Sequence, residues 1–263
     1  MKVAILGTGP SAAYVVAACN KFEVEHKVIS NAFPPKTYSG AFWPRLNPTN
    51  LTLPMKQVYI YSVGTAEGYL RKQWGDDFRK EWLDTCSFPT ESKSELAYDP
   101  YSLFQILWKD VNISLVHDLS DREIRKLAMK YDIVFMTFPT EKSKRSQKDY
   151  IIQYPITSFP MNNSETYQYC VYSGRDAENA VRMSNLFGFL HTEYSKDHIV
   201  NADLLDGGTV QWVRDTYPDT PEWDAFDVPA DNVVLVGRWA QWKRKVLAHN
   251  AYETTMAVLK ELT

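Results

Sequence analysis

The first thirty residues constrain the fold of this chain more than any other segment. An apolar stretch, Lys2–Leu6, runs into a glycine turn at residues 7–12, and small, helix-forming residues follow at 13–19. A second apolar stretch occupies residues 26–29. A strand, a glycine turn, a helix and a second strand in this order are typical of the βαβ unit that binds dinucleotides. The alternative is a glycine turn in another kind of α/β protein.

Each small residue of this turn has its own role in a dinucleotide-binding unit. Gly7 permits the tight turn, Gly9 lets the backbone approach a pyrophosphate, and Ala12 lets the helix pack close to the sheet. Pro10 and Ser11 stand at the start of the helix, where free N–H groups and the positive end of the dipole face the phosphates. We therefore expect all five residues to contact the cofactor.

A second motif lies near the other end of the chain. Residues 232–236 form a continuous apolar run that is typical of a buried strand. Gly237 and Arg238 follow it, and a closing helix is expected over about residues 247–262. In FAD enzymes a late strand of this kind delivers a glycine and a polar residue beneath the flavin, and the next helix faces the cofactor. The two motifs together favour FAD over NAD.

Between these motifs the chain alternates between strand and helix patterns. Strands are expected over residues 58–62, 113–117 and 132–136, and helices over residues 65–74, 100–110 and 121–130. From about residue 150 to residue 217 the pattern becomes strand-like, at 151–155, 167–172 and 181–193. Strands that alternate with helices indicate a parallel sheet, whereas the middle block indicates an inserted β layer.

We therefore predict an α/β fold, with a doubly wound, mainly parallel Rossmann-type sheet and a small β-rich inserted cap. Residues 1–149 would form the first part of the FAD-binding domain, residues 150–224 the cap or substrate layer, and residues 225–263 the closing strand and helix of the FAD-binding domain.

Three segments resemble the UDP-galactopyranose mutase and flavin amine oxidase group of flavoproteins. The run Gly237-Arg238-Trp239-Ala240-Gln241-Trp242, with His249 in the next helix, is similar to the C-terminal flavin motif of that group. The run Ser39-Gly40-Ala41-Phe42-Trp43-Pro44-Arg45 takes the place of its glycine-rich segment after the second strand. Residues 181–185 resemble, more faintly, its arginine-bearing strand near the flavin.

This resemblance implies FAD as the cofactor and gives roles to individual residues. The expected cofactor contacts in these segments are Gly40, Ala41, Phe42, Arg45, Gly237, Arg238 and Trp242. His249 would face the pyrimidine side or the ribityl chain of the flavin, and Arg182 would hold an anionic group of the substrate. These two are the candidate catalytic residues. The alternatives are a structural role for His249 and a salt bridge to a nearby acid for Arg182.

The end of the second strand departs from the pattern of that group. Its members carry a glutamate there that binds the adenosine ribose, whereas this chain has Ser30 and Asn31, which hydrogen-bond a ribose less strongly. The missing carboxylate leaves NADP as a lesser alternative, with Ser30, Lys36 or Arg45 near a 2′-phosphate. The chain is also shorter in the middle than members of the group.

The function that the resemblance implies is that of an FAD-dependent oxidoreductase of the amine-oxidase type. It would oxidise a small amine or an amine-bearing nucleotide, with the flavin taking the hydride. One alternative is a mutase-like flavoenzyme without net redox change, acting on a nucleotide sugar. Another is a non-catalytic protein that binds FAD or NADP. His191 and Tyr194 are further candidates for proton transfer, although their spacing does not require it.

Composition narrows the expected partners. The net charge of −3 gives no overall attraction to nucleic acid or anionic membranes, so the basic runs at 142–148 and 243–245 support nucleic-acid contact only weakly. The three cysteines are widely spaced, which favours reduced thiols and no metal site. No apolar run is long enough to span a membrane, and no signal-peptide pattern is present. We expect a cytoplasmic protein with a small-molecule or nucleotide-linked substrate.

Overall fold

The computed structural model describes most of the chain. The described residues are 1–36, 38, 42–139, 151–161, 167–195, 198, 200, 208–216, 228–241 and 246–262, with the backbone alone at 85, 151–154, 212–216 and 239. The strands are β1 (Lys2–Leu6), β2 (Glu25–Ser30), β3 (Met55–Gly64), β4 (Lys93–Tyr98), β5 (Ile113–Leu115), β6 (Ile133–Met136), β7 (Ile151–Pro160), β8 (Gln168–Gly174), β9 (Ala180–Leu186), β10 (Phe189–Tyr194), β11 (Thr209–Thr216) and β12 (Val233–Leu235).

The helices connect and cover these strands. They are α1 (Pro10–Lys21), α2 (Ala66–Trp74), α3 (Pro100–Leu107), α4 (Asp121–Ala128), α5 (Arg238–Gln241) and α6 (Asn250–Leu262), with two 3₁₀ turns after α2 at Gly75–Asp77 and Lys80–Thr85. The side chain of Thr65 accepts a hydrogen bond from Gly68 N and thereby caps α2. Ser120 precedes α4 but makes no such bond.

The first sheet is parallel and five-stranded, in the order β12-β6-β1-β2-β5. Apolar side chains of α1, α3 and α6 pack on one face, against Val3, Ile5 and Phe135. Ile124 of α4 packs on the other face against Leu6 and its neighbours. Helices on both faces of a parallel sheet confirm the predicted doubly wound, Rossmann-like fold.

The second sheet is mixed and seven-stranded, in the order β11-β7-β10-β9-β8-β3-β4. All of its neighbouring strands are antiparallel except β3 and β8, which run parallel. Tyr69, Leu70 and Trp74 of α2 pack on one face of this sheet with Val58 and Ile60 of β3. This layer is larger than a small cap, because β3 pairs with the much later strand β8 and β4 adds to the sheet through β3.

Two details of the second sheet differ from the sequence-based expectations. The predicted β-rich layer at residues 150–224 leaves out β3 and β4, and β4 and β11 were not predicted as strands. The single strand-like segment expected at 181–193 is a hairpin. Phe187 and Gly188 form its two-residue turn, with φ values of 50° and 88°, so Leu186 pairs with Phe189. Two-residue turns of this kind usually have the sequence Asn-Gly. Because Phe187 stands in place of the asparagine, the turn was not recognised in the sequence.

Aromatic side chains join the two layers. Tyr101 of α3 packs against the hydrophobic cores of both sheets. Tyr38 and Phe42, from the long segment between β2 and β3, pack against Phe104 of α3 at ring-centroid distances of 5.0 and 6.0 Å. The hydroxyl of Tyr14 in α1 donates a hydrogen bond to Leu46 O at 2.7 Å, which ties the same segment to the first layer.

Candidate functional site

The carboxyl edge of the first sheet has its topological switch point beside β1. From β1 the sheet continues through β2 and β5 on one side and through β6 and β12 on the other. In open parallel sheets ligands bind in the crevice at such a point. Gly7 and Thr137 are the first residues after β1 and β6 and lie against each other there. The predicted turn is thus at the place where this fold binds ligands.

Gly7 has a conformation and surroundings that require glycine. Its φ is 106°, and its N–H donates a hydrogen bond to Ile29 O at 3.0 Å. A Cβ atom at this position would overlap the hydroxyl of Thr137, which donates to Leu6 O at 2.8 Å. The turn after β1 is therefore held tightly between β2 and β6.

Gly9 lies in a different environment from Gly7. It precedes α1 with an extended backbone (φ −74°, ψ 178°), and no side chain caps the helix. A Cβ atom at Gly9 would meet no atom within 4 Å. The N–H groups of Ser11 and Ala12 belong to the first turn, where a helix has no internal acceptors for them. This open helix end has the geometry of an anion-binding site.

The segment after β12 lies against the same helix end. Gly237 has a φ of 85°, and a Cβ atom there would overlap the side chain of Ser11. Arg238 begins α5 and is half-buried, and within the described residues no carboxylate forms an ion pair with it. The side-chain amide of Gln241 donates to Leu235 O at 2.9 Å, which closes the loop. The two sequence motifs are therefore neighbours in space, and Arg238 is the residue that follows the contact of Gly237 with Ser11.

The end of β2 offers hydroxyl groups where other dinucleotide-binding proteins offer a carboxylate. Ser30 is buried, and its Oγ lies 3.3 Å from Oγ1 of Thr8 and accepts a hydrogen bond from Ala32 N. The Thr8 hydroxyl donates to Ala32 O at 2.9 Å. Asn31 is exposed. A ribose at this position would therefore meet groups that are already hydrogen-bonded to one another.

Arg45 and Phe42 take different places in the segment between β2 and β3. The ring of Phe42 is part of the aromatic junction between the layers. Arg45 forms an ion pair of 2.5 Å with Glu95 of β4 and is nearly half-exposed. Glu95 also accepts a hydrogen bond from the Trp43 indole at 3.2 Å and pairs with Lys93 at 3.0 Å. Burial alone would raise the pKa of Glu95, but these hydrogen bonds and the charge of Arg45 lower it.

His249 precedes α6 and is half-buried. Burial lowers the pKa of its ring, the carboxylate of Glu253 acts in the opposite direction, and the guanidinium of Arg45 lowers it further. His249 and Arg45, which are far apart in sequence, are thus within electrostatic reach of each other. None of the described residues forms a hydrogen bond with the ring of His249 that would identify a catalytic role.

Arg182 lies in the second sheet, on β9, and its charge is already neutralised. Its Nε and one terminal nitrogen donate to the two oxygens of Glu193 at 2.8 and 2.7 Å, and the other terminal nitrogen donates to the Tyr172 hydroxyl at 3.3 Å. Burial would lower the pKa of Arg182, but Glu193 raises it well above its usual value. The structure therefore shows the salt bridge that was the alternative to a substrate contact.

Three predicted cofactor contacts, Gly40, Ala41 and Trp242, lie outside the described residues, as do both basic runs. The residues that hold the segment 42–46 in place were not predicted. Tyr14 is one of them, and its sequence signal is a single large polar side chain among the small residues of α1. Glu95, on a strand that was not predicted at all, is another, and Phe104 of α3 is a third.

The described part of the chain shows neither a metal-binding cluster nor a membrane-spanning helix. No group of three or more histidine, cysteine, aspartate or glutamate side chains there is arranged to hold a metal ion. None of the described helices has the length and apolar composition that crossing a bilayer requires.

Comparisons with known proteins identify the fold. No protein-family model and no curated protein matches the chain in sequence. Among solved structures, reduced UDP-galactopyranose mutase is similar with a TM-score of 0.57 and 8% identity, over 99% of this chain and 95% of that one. An FAD dependent oxidoreductase from Pseudomonas aeruginosa (TM-score 0.46, 10% identity, 99% and 90%) and tetracycline destructase Tet(51) (0.45, 10%, 99% and 81%) align less well. The chain therefore has the Rossmann-like fold that UDP-galactopyranose mutase also has.

Proposed function

We propose that this chain binds FAD at the carboxyl edge of the first sheet and acts as an FAD-dependent oxidoreductase. The observation that carries the proposal is the contact of Gly237 with Ser11. Arg238 follows Gly237 and has no ion-paired carboxylate among the described residues, and Ser11 lies in the open first turn of α1 after Gly9. This combination would suit a pyrophosphate, because the charge of Arg238 and the N–H groups of α1 would both act on one anion.

The residues fit one half of the cofactor better than the other. Gly7, Gly9, Ser11, Ala12 and Arg238 would hold the pyrophosphate. The adenosine half would meet the Thr8 and Ser30 hydroxyls instead of a carboxylate, so we expect weaker binding of the ribose than in proteins that have an acid there. FAD, when bound, supplies two-electron redox chemistry. The protein would supply its position and exclude water from the junction between the layers.

For the substrate class and the type of reaction we propose two candidates. A small amine or an amine-bearing nucleotide is the substrate that the sequence resemblance suggests. A mutase-like reaction without net oxidation is the second candidate, favoured by the shared fold with reduced UDP-galactopyranose mutase. Because Arg182 is paired with Glu193, an anionic substrate would have to use a different cation.

The experiment that tests this proposal is an absorption spectrum of the purified full chain, before and after addition of FAD and gel filtration. Retained flavin absorbance and a melting temperature that rises with FAD concentration are the expected results. A colourless protein whose melting temperature does not respond to FAD would refute the proposal. In the loaded protein, flavin that bleaches with candidate amines supports the oxidoreductase. Turnover only after dithionite reduction, without oxygen consumption, supports the mutase.

A further inference from the structure

A buried serine and histidine face each other in the second sheet. Ser158 of β7 and His191 of β10 are directly opposite in the strand pairing, and Ser158 Oγ lies 2.8 Å from His191 Nδ1. The two residues are 6% and 3% exposed. On the other side, His191 is paired in register with the buried Ser184 of β9. No described residue hydrogen-bonds to His191 Nε2, so one ring nitrogen is bonded and the other is available.

A line of stacked rings connects this histidine to the first layer. The rings of His191 and Phe189 are parallel to within 16° at 5.9 Å, and Phe189 stacks on Tyr101 at 4.9 Å. Tyr101 packs edge-on against Tyr38 at 5.6 Å. Tyr38 belongs to the segment that is hydrogen-bonded to α1 and ion-paired to β4. His191 is therefore at one end of an aromatic wall whose other end, Tyr38, packs on Phe104 of the first layer.

The charges on this face of the sheet are balanced. Arg182 and Glu193 lie on the same face as His191, and both hydrogen bonds of the guanidinium edge go to that one carboxylate. Burial lowers the pKa of His191 to about 4, so its ring is uncharged at neutral pH. Aromatic rings, a neutral imidazole and a closed ion pair form a surface that has no preference for a charged ligand.

Ser158 is the described hydrogen-bond partner of Nδ1, and no described residue bonds Nε2. The serine therefore fixes one side of the ring, and the other side can take a further partner. The Ser158 hydroxyl can either donate to Nδ1 or accept from it, so Nε2 can act as a donor or as an acceptor. A ligand that brings one hydroxyl or N–H hydrogen would complete this arrangement.

We propose that His191 Nε2 binds the substrate, and that the wall formed by Phe189 and Tyr101 selects an uncharged aromatic compound carrying a hydroxyl or N–H hydrogen. The inference rests on the proposed function for the reaction that follows, but the binding step depends only on the residues named here. Ser158 is a positioning residue in this scheme, because it orients the ring and sets its tautomer.

Phenol is the probe, and the imidazole signals of the full chain are the readout. The chain has five histidines, so the His191 signals can be assigned by nitrogen-15 NMR from their loss in His191→Asn. Phenol should shift them saturably, and benzoate and benzylammonium should bind at least about tenfold more weakly. The His191→Asn variant should lose roughly tenfold in phenol affinity, and Ser158→Ala should lose less. Thr192→Ala, next to His191 but on the opposite face, is the matched control and should bind as the parent does.

Three results would overturn the inference. They are a His191 signal that phenol leaves unchanged, equal affinity for benzoate and phenol, and unchanged phenol affinity in both His191→Asn and Ser158→Ala. The same samples with and without FAD keep the two proposals apart. Phenol binding at His191 in a chain that takes up no FAD would refute the cofactor proposal and leave this one standing.

Discussion

At the scale of single residues, the two glycines of the N-terminal turn illustrate different constraints. Gly7 is required by the protein itself, because its φ of 106° and its contact with Thr137 exclude a side chain. Gly9 has an ordinary φ, and a Cβ atom there would meet no atom of the described residues beyond its chain neighbours, so none of these residues requires glycine there. An unexplained glycine beside an open helix end is what a closely approaching phosphate would explain.

This contrast gives a prediction about stability. Gly7→Ala should lower the free energy of unfolding by about 2–4 kcal/mol, because it adds both backbone strain and overlap. Gly9→Asp should leave it unchanged or raise it by up to about 1 kcal/mol, because aspartate is a good N-cap near a positive helix end. Urea unfolding of both variants checks this. Equal losses would show that Gly9 also has a structural role.

His191 gives a prediction about pH. Its folded pKa of about 4 is below the ordinary value of 6.5, so the unfolded chain takes up a proton between these values and the folded chain does not. Stability that is complete above pH 6.5 is therefore lost as the pH falls toward 4. Between pH 7.5 and pH 5 the free energy of unfolding should fall by about 2 kcal/mol more in the parent than in His191→Asn, because the other titratable groups are the same in both. Parallel losses in urea unfolding would contradict the burial of a neutral ring.

At the scale of elements, the segment between β2 and β3 is held by contacts from three separate elements. Tyr14 of α1, Glu95 of β4 and Phe104 of α3 all contact it. Its length and its prolines indicate a functional loop from the sequence, but these contacts depend on which elements fold next to it. The hydrogen bond from Tyr98 N to Pro44 O shows that part of it runs beside the edge strand β4.

A substitution at Glu95 tests whether its contacts stabilise the segment between β2 and β3. Glu95→Gln keeps an acceptor for Trp43 but removes the charge, and should lower the free energy of unfolding by about 1 kcal/mol at pH 7. Because the folded pKa of Glu95 is lowered, its contribution is complete above about 4.5 and is lost as the pH falls through the folded value. The difference between variant and parent should therefore shrink in acid. Glu67→Gln, which breaks an exposed pair with Arg71, should change stability by less than about 0.5 kcal/mol and is the control.

Elements with a clear pattern of their own were predictable, and those defined by distant pairing were not. The buried strands β1, β6 and β12 are continuous apolar runs, and α2 has its cap in sequence. By contrast, β4 (Lys93–Tyr98) carries a lysine and a glutamate, which in sequence suggest a solvent-exposed segment. The contacts of Glu95 with Arg45 and Trp43 appear only in the folded chain. For Arg182, local sequence could not separate a substrate contact from a salt bridge, because the partner Glu193 is on the neighbouring strand.

At the scale of the whole molecule, segments from near the two ends of the chain lie in contact, and we propose that they form one FAD site. Gly237 lies against Ser11, and α6 packs on α1, so elements from both ends of the chain share a core. The two sequence motifs implied that the ends of the chain meet around one cofactor. In the sheet, β6 lies between β12 and β1, so these two strands do not touch. The contact between the two motifs is made by Gly237, in the loop after β12, with Ser11 of α1.

The most direct measurement of this claim is titration calorimetry of the full chain with FAD. We predict one saturable site in the parent. Affinity should fall at least about tenfold in Gly9→Asp, which changes the N-terminal motif, and in Arg238→Gln, which changes the C-terminal one. Arg175→Gln, which alters an exposed arginine in the second layer, should bind FAD as the parent does. No heat of FAD binding in the parent, or parental affinity in both site variants, would contradict a single FAD site built from the two ends.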